Sequence, residues 1–206
     1  MKEKLFWRKN ELIEAALDEF STHSYQNASL NKIIKNAGIS KGKFYYHFED
    51  KKAFYLFLQE SAYKDQLEFQ DKRMKELAGD GKLDFFEKIR LRTQIWAECA
   101  ARFPKYVKFT MMFLNEEENG ETKEIIEYMY GFHQKTVEAR VEEMVMDAVE
   151  TGDLSDRFSK DFVIRLVNHF LSHSTEIFGI DEEYDELKFL DDTNKFIDFL
   201  KFGLSR

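Results

Sequence analysis

The sequence predicts an all-α protein, with a small N-terminal three-helix domain followed by a larger helical body. One proline and nine glycines are few interruptions for 206 residues, so most of the backbone is free to stay helical. Apolar residues recur at three- and four-residue intervals along most of the chain, while period-two alternation is weak. Even the aromatic run Phe54 to Leu58 is embedded in a helical pattern and does not mark an edge strand.

The most informative element pair spans Ser29 to Phe48, SLNKIIKNAGISKGKFYYHF. Ser29 can cap a helix by accepting a backbone N–H two or three residues on. Leu30, Ile33, Ile34 and Ala37 then form one apolar face, and Gly38 can close the helix because it takes positive φ without steric cost. Ile39 anchors the turn and Ser40 can cap a second helix through Phe48. Phe44 and Phe48, one turn apart, form the side expected to be buried.

That second helix leaves Lys41, Gly42, Lys43, Tyr45 and Tyr46 for solvent or a partner. The whole segment carries Lys32, Lys35, Lys41 and Lys43 with no Asp or Glu, although the protein has a net charge of -8. A short carboxylate-free stretch in an acidic protein suits a polyanion, and nucleic acid is the first candidate. Two helices joined by a turn of about three residues containing Gly match the helix-turn-helix arrangement, whose second helix enters the major groove N-terminus first. Lys41 and Lys43 would then reach bases or phosphates, and Tyr45 and Tyr46 would donate to phosphate oxygens. Gly42 would allow close backbone approach. By spacing alone, an ordinary helical hairpin with a solvated lysine face stays equally open.

The run from Leu12 to Phe57, and above all LIEAALDEF followed by SLNKIIKNAGISKGKFYYHFEDKKAF, resembles the N-terminal DNA-binding domain of the TetR family of transcriptional repressors. The shared features are a helix ending in Ala-x-x-x-Phe, the AGIS turn, the Lys-Gly after it, the Tyr-x-His-Phe box and a Lys three residues beyond that Phe. Two positions depart from the family pattern. Ser24 stands where Gly is usual after the first helix, and Lys43 stands where a small hydroxyl residue is usual. The resemblance implies that Tyr45, Tyr46, His47 and Lys51 lie around the DNA backbone. The candidate DNA-binding set is therefore Ser29, Ser40, Lys41, Gly42, Lys43, Tyr45, Tyr46, His47 and Lys51, in a domain expected to cover residues 1–50, with residues 51–206 forming a ligand-binding and dimerisation domain.

Charge divides along the chain in the same way. Residues 1–48 hold eight Lys and Arg against five Asp and Glu, and the remainder holds 23 against 34. An anionic body repels phosphate, so a second nucleic-acid surface there is disfavoured. A single cysteine, Cys99, rules out an intrachain disulfide and suits a reducing cytoplasm. The N-terminal residues are interrupted by charges and no apolar run approaches the ~18 residues of a membrane span, so a cytoplasmic protein without a membrane partner is expected.

The body reads as five or six further helices. Asp50 can cap one starting near Lys51 and ending at the AGDGK turn, Ala78 to Lys82. A second starts near Leu83, and Pro104 closes it and opens the next, because proline fits a first helical turn but not an interior. After a loop at NEEENG, Ile125, Tyr128, Met129, Phe132, Val137, Val141 and Met144 step along a long helix ending near TGDL. Glu116, Glu117 and Glu118 are read as loop carboxylates that cap or stay solvated, not as a metal site. No Gly-rich phosphate loop, Ser-centred elbow or supported Cys-His pair occurs. Neither catalysis nor a cofactor is expected.

The last two helices are amphipathic, with Phe162, Leu166, His169, Phe170 and His173 on one and Phe189, Thr193, Phe196, Ile197 and Leu200 on the other. Such stripes often close a monomer core. A single helix-turn-helix reads only a half-site, however, and two-fold pairing lets it read a palindromic operator. The resembling family pairs its last two helices in a four-helix bundle, which makes these ten residues the candidate homodimer interface. His169 and His173 stand at the i, i+4 spacing of helical metal ligands. Phe170 occupies the place that a HExxH pattern gives to Glu, so they read as core or interface histidines.

Trp96, Cys99, Phe109, Met112, Phe113, Tyr128, Met129 and Phe132 are the candidate lining of a pocket for an unknown small-molecule effector. Met adapts to apolar ligands of several shapes, and the resemblance implies a ligand-responsive body. The expected function is a homodimeric repressor released from double-stranded DNA by a small, largely apolar molecule. Two other readings remain: a helical carrier or enzyme using the head as a protein-binding module, and a constitutive DNA-binding protein without a ligand.

Overall fold

Short-range signals set most helix boundaries in the computed structural model, which describes residues 9–79, 81–154, 157–177 and 186–204. The described residues form nine helices and no strand: α1 (Lys9–Phe20), α2 (Leu30–Asn36), α3 (Lys41–His47), α4 (Lys51–Ala78), α5 (Phe85–Arg102), α6 (Pro104–Leu114), α7 (Gly120–Thr151), α8 (Lys160–Ile177) and α9 (Glu186–Leu204). Asp50 caps α4, its carboxylate accepting the Ala53 N–H at 2.7 Å. Gly79, at φ +53°, ends α4 in the left-handed conformation that the AGDGK turn predicts. Asp84 and Glu87 form a reciprocal capping box at the start of α5, each carboxylate accepting the other's backbone N–H, at 2.7 and 2.8 Å. Pro104 opens α6 as expected.

The chain divides into two compact units, residues 1–67 with 100–131, and residues 68–99 with 132–206. The first holds α1 to α3 together with the first part of α4, α6 and the start of α7. Its core is aromatic: Tyr55 stands edge-on to Phe20, Tyr25 and Phe109, with ring centroids 4.8, 5.0 and 5.2 Å apart. Lys105 at the start of α6 pairs with both Glu14 and Asp18 of α1 at 2.7 Å. Thus α6 is tied to α1 by packing and by charge.

The second unit packs Phe85, Phe86 and Ile89 of α5 against Val141, Val145 and Ala148 of α7, Val163 and Val167 of α8, and Ile197 and Leu200 of α9. Burying large aliphatic and aromatic side chains at about 1.5–3 kcal/mol each dominates its stability. Ion pairs ring this core, among them Arg140 with Asp71, a two-point contact at 2.7 and 2.8 Å, and Arg73 with Glu98 at 2.8 Å. No helix among the described residues is long and apolar enough to cross a membrane.

Candidate nucleic-acid interface

The two short helices of the basic segment are built by local rules. The Ser29 hydroxyl accepts the Lys32 N–H at 3.3 Å and the Ser40 hydroxyl accepts the Lys43 N–H at 3.2 Å, capping α2 and α3 respectively. Gly38 lies at φ +64° just past the end of α2, and the Ile39 N–H closes the turn on the Ile34 carbonyl at 3.2 Å. Phe44 is fully buried, edge-on to Phe54 at 5.3 Å, and Phe48 packs against both rings. Burial of Phe44 fixes the rotation of α3 about its axis, and the opposite face turns outward.

That outward face carries the residues expected on it. Lys41, Gly42, Tyr45 and Tyr46 are exposed, with Tyr46 at 79 % the most accessible aromatic of the head. A Cβ built at Gly42 would meet nothing within 4 Å, so no internal packing calls for glycine there. Lys43 and His47 are half-buried, and His47 sits edge-on to Tyr46 at 5.0 Å.

Two lysines have partners within the protein. Lys51, placed by resemblance at the DNA backbone, donates instead to the carbonyls of Tyr25, Gln26 and Ala28 at 2.7, 3.3 and 3.2 Å, and its ammonium lies 4.5 Å from the Tyr25 ring centre. All three of its donors serve the loop between α1 and α2. Lys32 is not an uncompensated charge either, because it pairs at 2.6 Å with Glu19 of α1. The segment lacks acids in sequence but borrows one from the preceding helix.

Glu19 and Tyr25 are functional supports that no sequence motif marks. Glu19, only 4 % exposed, also accepts the Ser29 N–H at 3.0 Å, so it holds the first turn of α2. Burial would raise its carboxyl, but Lys32 and the Ser29 N–H outweigh burial and hold it below the usual carboxylate range. Tyr25 is buried, donates its hydroxyl to Glu121 at 2.8 Å and its N–H to Glu116. Burial above all, opposed by the Tyr25 N–H and Lys51, raises the Glu116 carboxyl. The glutamates around NEEENG therefore grip the α1–α2 loop, and Gln26 with Asn119 and Lys52 with Glu124 extend that grip. The one signal in sequence is the density of polar residues at 115–121, which does not say what they meet. No group of three or more His, Cys, Asp or Glu suited to a metal occurs among the described residues.

Residues 12–57 match the family described as bacterial regulatory proteins, tetR family. The chain carries the TetR-family DNA-binding domain. A probable acrEF/envCD operon repressor of Escherichia coli (strain K12) is 22 % identical over 165 residues, covering 78 % of this chain and 70 % of that protein. Among solved structures, a putative transcriptional regulator from Pseudomonas aeruginosa PAO1 aligns at TM-score 0.68 and 17 % identity over 95 % of this chain and 91 % of its own. The regulator FadR from Bacillus subtilis, in complex with stearoyl-CoA, aligns at TM-score 0.65 and 17 % identity over 91 % and 96 %. The all-helical body behind the TetR-family head thus shares the fold of these regulators along nearly its whole length.

The expected ligand lining falls in both units. Phe109, Phe113 and Met129 are buried in the first, where Phe109 is closed off by Phe20 and Tyr55. Met112 is half-buried, while Tyr128 is exposed and donates to Glu60 at 2.7 Å. In the second unit Trp96 is partly exposed against Phe189 at 5.2 Å, Cys99 is buried and Phe132 is half-buried. Phe113 touches a cavity of about 40 Å³ beside Glu116 and Tyr130, too small for an effector. Phe109, Phe113 and Met129 are buried in the helical core, which fills with the same large apolar side chains that a pocket would use.

The residues of the expected dimer stripe differ in exposure. Phe170, Thr193, Ile197 and Leu200 are buried within their own unit, with Phe170 stacked on Phe196 at 3.7 Å, so they are not surface offered to a partner. Leu166, Phe189 and Phe196 are half-buried, and Phe162 and His169 are not buried. The side chain of His173 lies outside the described residues. Among the described residues of α9, Phe199 and Phe202 are the large apolar side chains most exposed, at 71 % and 86 %, three residues apart on one face.

Proposed function

We propose that the protein is a homodimeric repressor, with residues 1–50 reading a palindromic operator and residues 51–206 binding an effector and forming the dimer. The outward face of α3 carries this reading: a buried Phe44 aims Lys41, Gly42, Tyr45 and Tyr46 at a partner from a helix whose cap is satisfied. Lys41 and Lys43 supply charge toward phosphate or base edges, Tyr45 and Tyr46 donate to phosphates, and bare Gly42 lets the backbone come close. Ser29 and Ser40 keep hydroxyl protons free for phosphate while their oxygens cap. Lys51 acts through the loop it holds.

Two exposed phenylalanines on α9 support pairing, because large apolar side chains spaced along one helix face are covered in stable assemblies. A two-fold pair of heads would then meet the two half-sites of an operator. The stearoyl-CoA in the B. subtilis FadR structure supports a body that takes a small molecule. Such a molecule releases DNA only by binding one arrangement of the dimer better than the other.

The test is binding to DNA fragments from the chain's own upstream region, with anisotropy read against salt. Nanomolar affinity that falls steeply with salt, with a dimer in sedimentation, is the expected result. Salt-independent binding, or a monomer that binds as tightly, sinks the reading.

A further inference from the structure

A groove of about 780 Å³ opens on the second unit between the C-terminal end of α4, the first half of α5 and the last half of α7. Its volume falls within the roughly 300–1,000 Å³ of small-molecule sites. Met74, Met144 and Met146 contribute apolar surface, and Arg92 contributes a cation. Of the other cations on the groove wall, Lys88 pairs with Asp147 and Arg140 with Asp71, while Lys75 is exposed to solvent. Arg92 has no such ion pair among the described residues, and its buried Nε meets no acceptor. Burial first, and then the like charge of Arg140, lower its affinity for its proton, while Asp71 and Glu143 offset this only in part. A guanidinium does not give up its proton in a protein, so the group is an under-compensated charge in a groove whose wall is largely charged and whose apolar side chains are Met74, Ala78, Met144 and Met146.

We infer that this groove binds a molecule with one carboxylate and an apolar tail, the carboxylate meeting Arg92 and the tail lying along the methionines. A planar carboxylate matches the guanidinium fork. Glu143, Asp147 and Glu150 on the same wall oppose a polyanion, which restricts the ligand to a single negative charge. As an effector site this rests on the repressor reading; as a binding site it does not.

The test uses decanoate, decanol and decanoyl-CoA as probes on the full chain by calorimetry. Decanoate binds at least tenfold tighter than decanol to the wild type, and Arg92→Gln removes that difference while decanol affinity is retained. Met146→Trp, a change at an exposed position that fills the groove, weakens both. Equal affinity for decanoate and decanol, decanoate binding unchanged in Arg92→Gln or Met146→Trp, or tighter binding of decanoyl-CoA each overturns the site. Operator binding by the wild type is measured separately without probe, so failure of the repressor reading is told apart from failure of the groove.

Discussion

Glu19 in the head and Arg92 in the body are both charged groups withdrawn from water, yet only the first is surrounded by partners. Glu19 receives the Ser29 N–H and the Lys32 ammonium, and the result is a closed joint between α1 and α2. Arg92 lies beside a second guanidinium whose own carboxylate, Asp71, is engaged at two points, and its Nε points at nothing. A buried charge with full hydrogen bonding is a structural element, whereas one left short of partners costs stability unless something else supplies the counter-charge. Glu19 is thus satisfied by residues of the head itself, and the groove has room for a ligand beside Arg92.

That contrast makes opposite predictions for removing each charge. Glu19→Ala removes the acceptor of the part-buried Ser29 N–H and frees the largely exposed Lys32, and should cost about 1–2 kcal/mol in urea unfolding. Its folded carboxyl is held low, so the stability it adds is complete above the ordinary carboxylate range and is lost as pH falls through the depressed value. Glu19→Gln should therefore flatten the acid limb of the stability curve, and an unchanged limb would count against the joint. Arg92→Met removes an unpaired charge at similar volume and should leave the fold unchanged or gain about 1–2 kcal/mol. A loss of that size would mean Arg92 is already paired in solution, erasing the difference between the two sites.

Smaller effects refine the same comparison. Tyr25→Phe deletes only the hydroxyl given to Glu121 and should cost about 1 kcal/mol; no loss would show that the other contacts of the loop around NEEENG hold the head without it. Lys41→Ala, at an exposed position, should leave the melting temperature in place. It should weaken operator binding severalfold and reduce the salt slope by about one unit if the ammonium meets a phosphate. An unchanged slope would move Lys41 from phosphate to base contact.

Helix ends and the rotation of α3 are legible in the amino-acid sequence. Ser29, Ser40, Asp50, Gly38 and Pro104 act on backbone groups within a few residues of themselves, so their chemistry is written locally. The recognition face follows from the same kind of argument, since placing Phe44 inward leaves Tyr45 and Tyr46 outward. What sequence does not show is non-local. Lys51 reads as a DNA contact because sequence cannot show that three carbonyls 23 to 26 residues earlier would take its protons. Phe109 and Phe113 read as pocket lining because a core and a pocket draw on the same residue types.

Sequence by itself thus determined an all-helical chain, a capped and carboxylate-free helix pair, and the Lys41, Tyr45 and Tyr46 side chains that α3 presents. Tertiary structure decided which charges are spent and which remain. Glu116 meets Tyr25 across 91 positions, and Arg140 meets Asp71 across 69. Pairings at such separations depend on how helices pack, because a side chain's local neighbours set its direction while only the packed fold sets its partner.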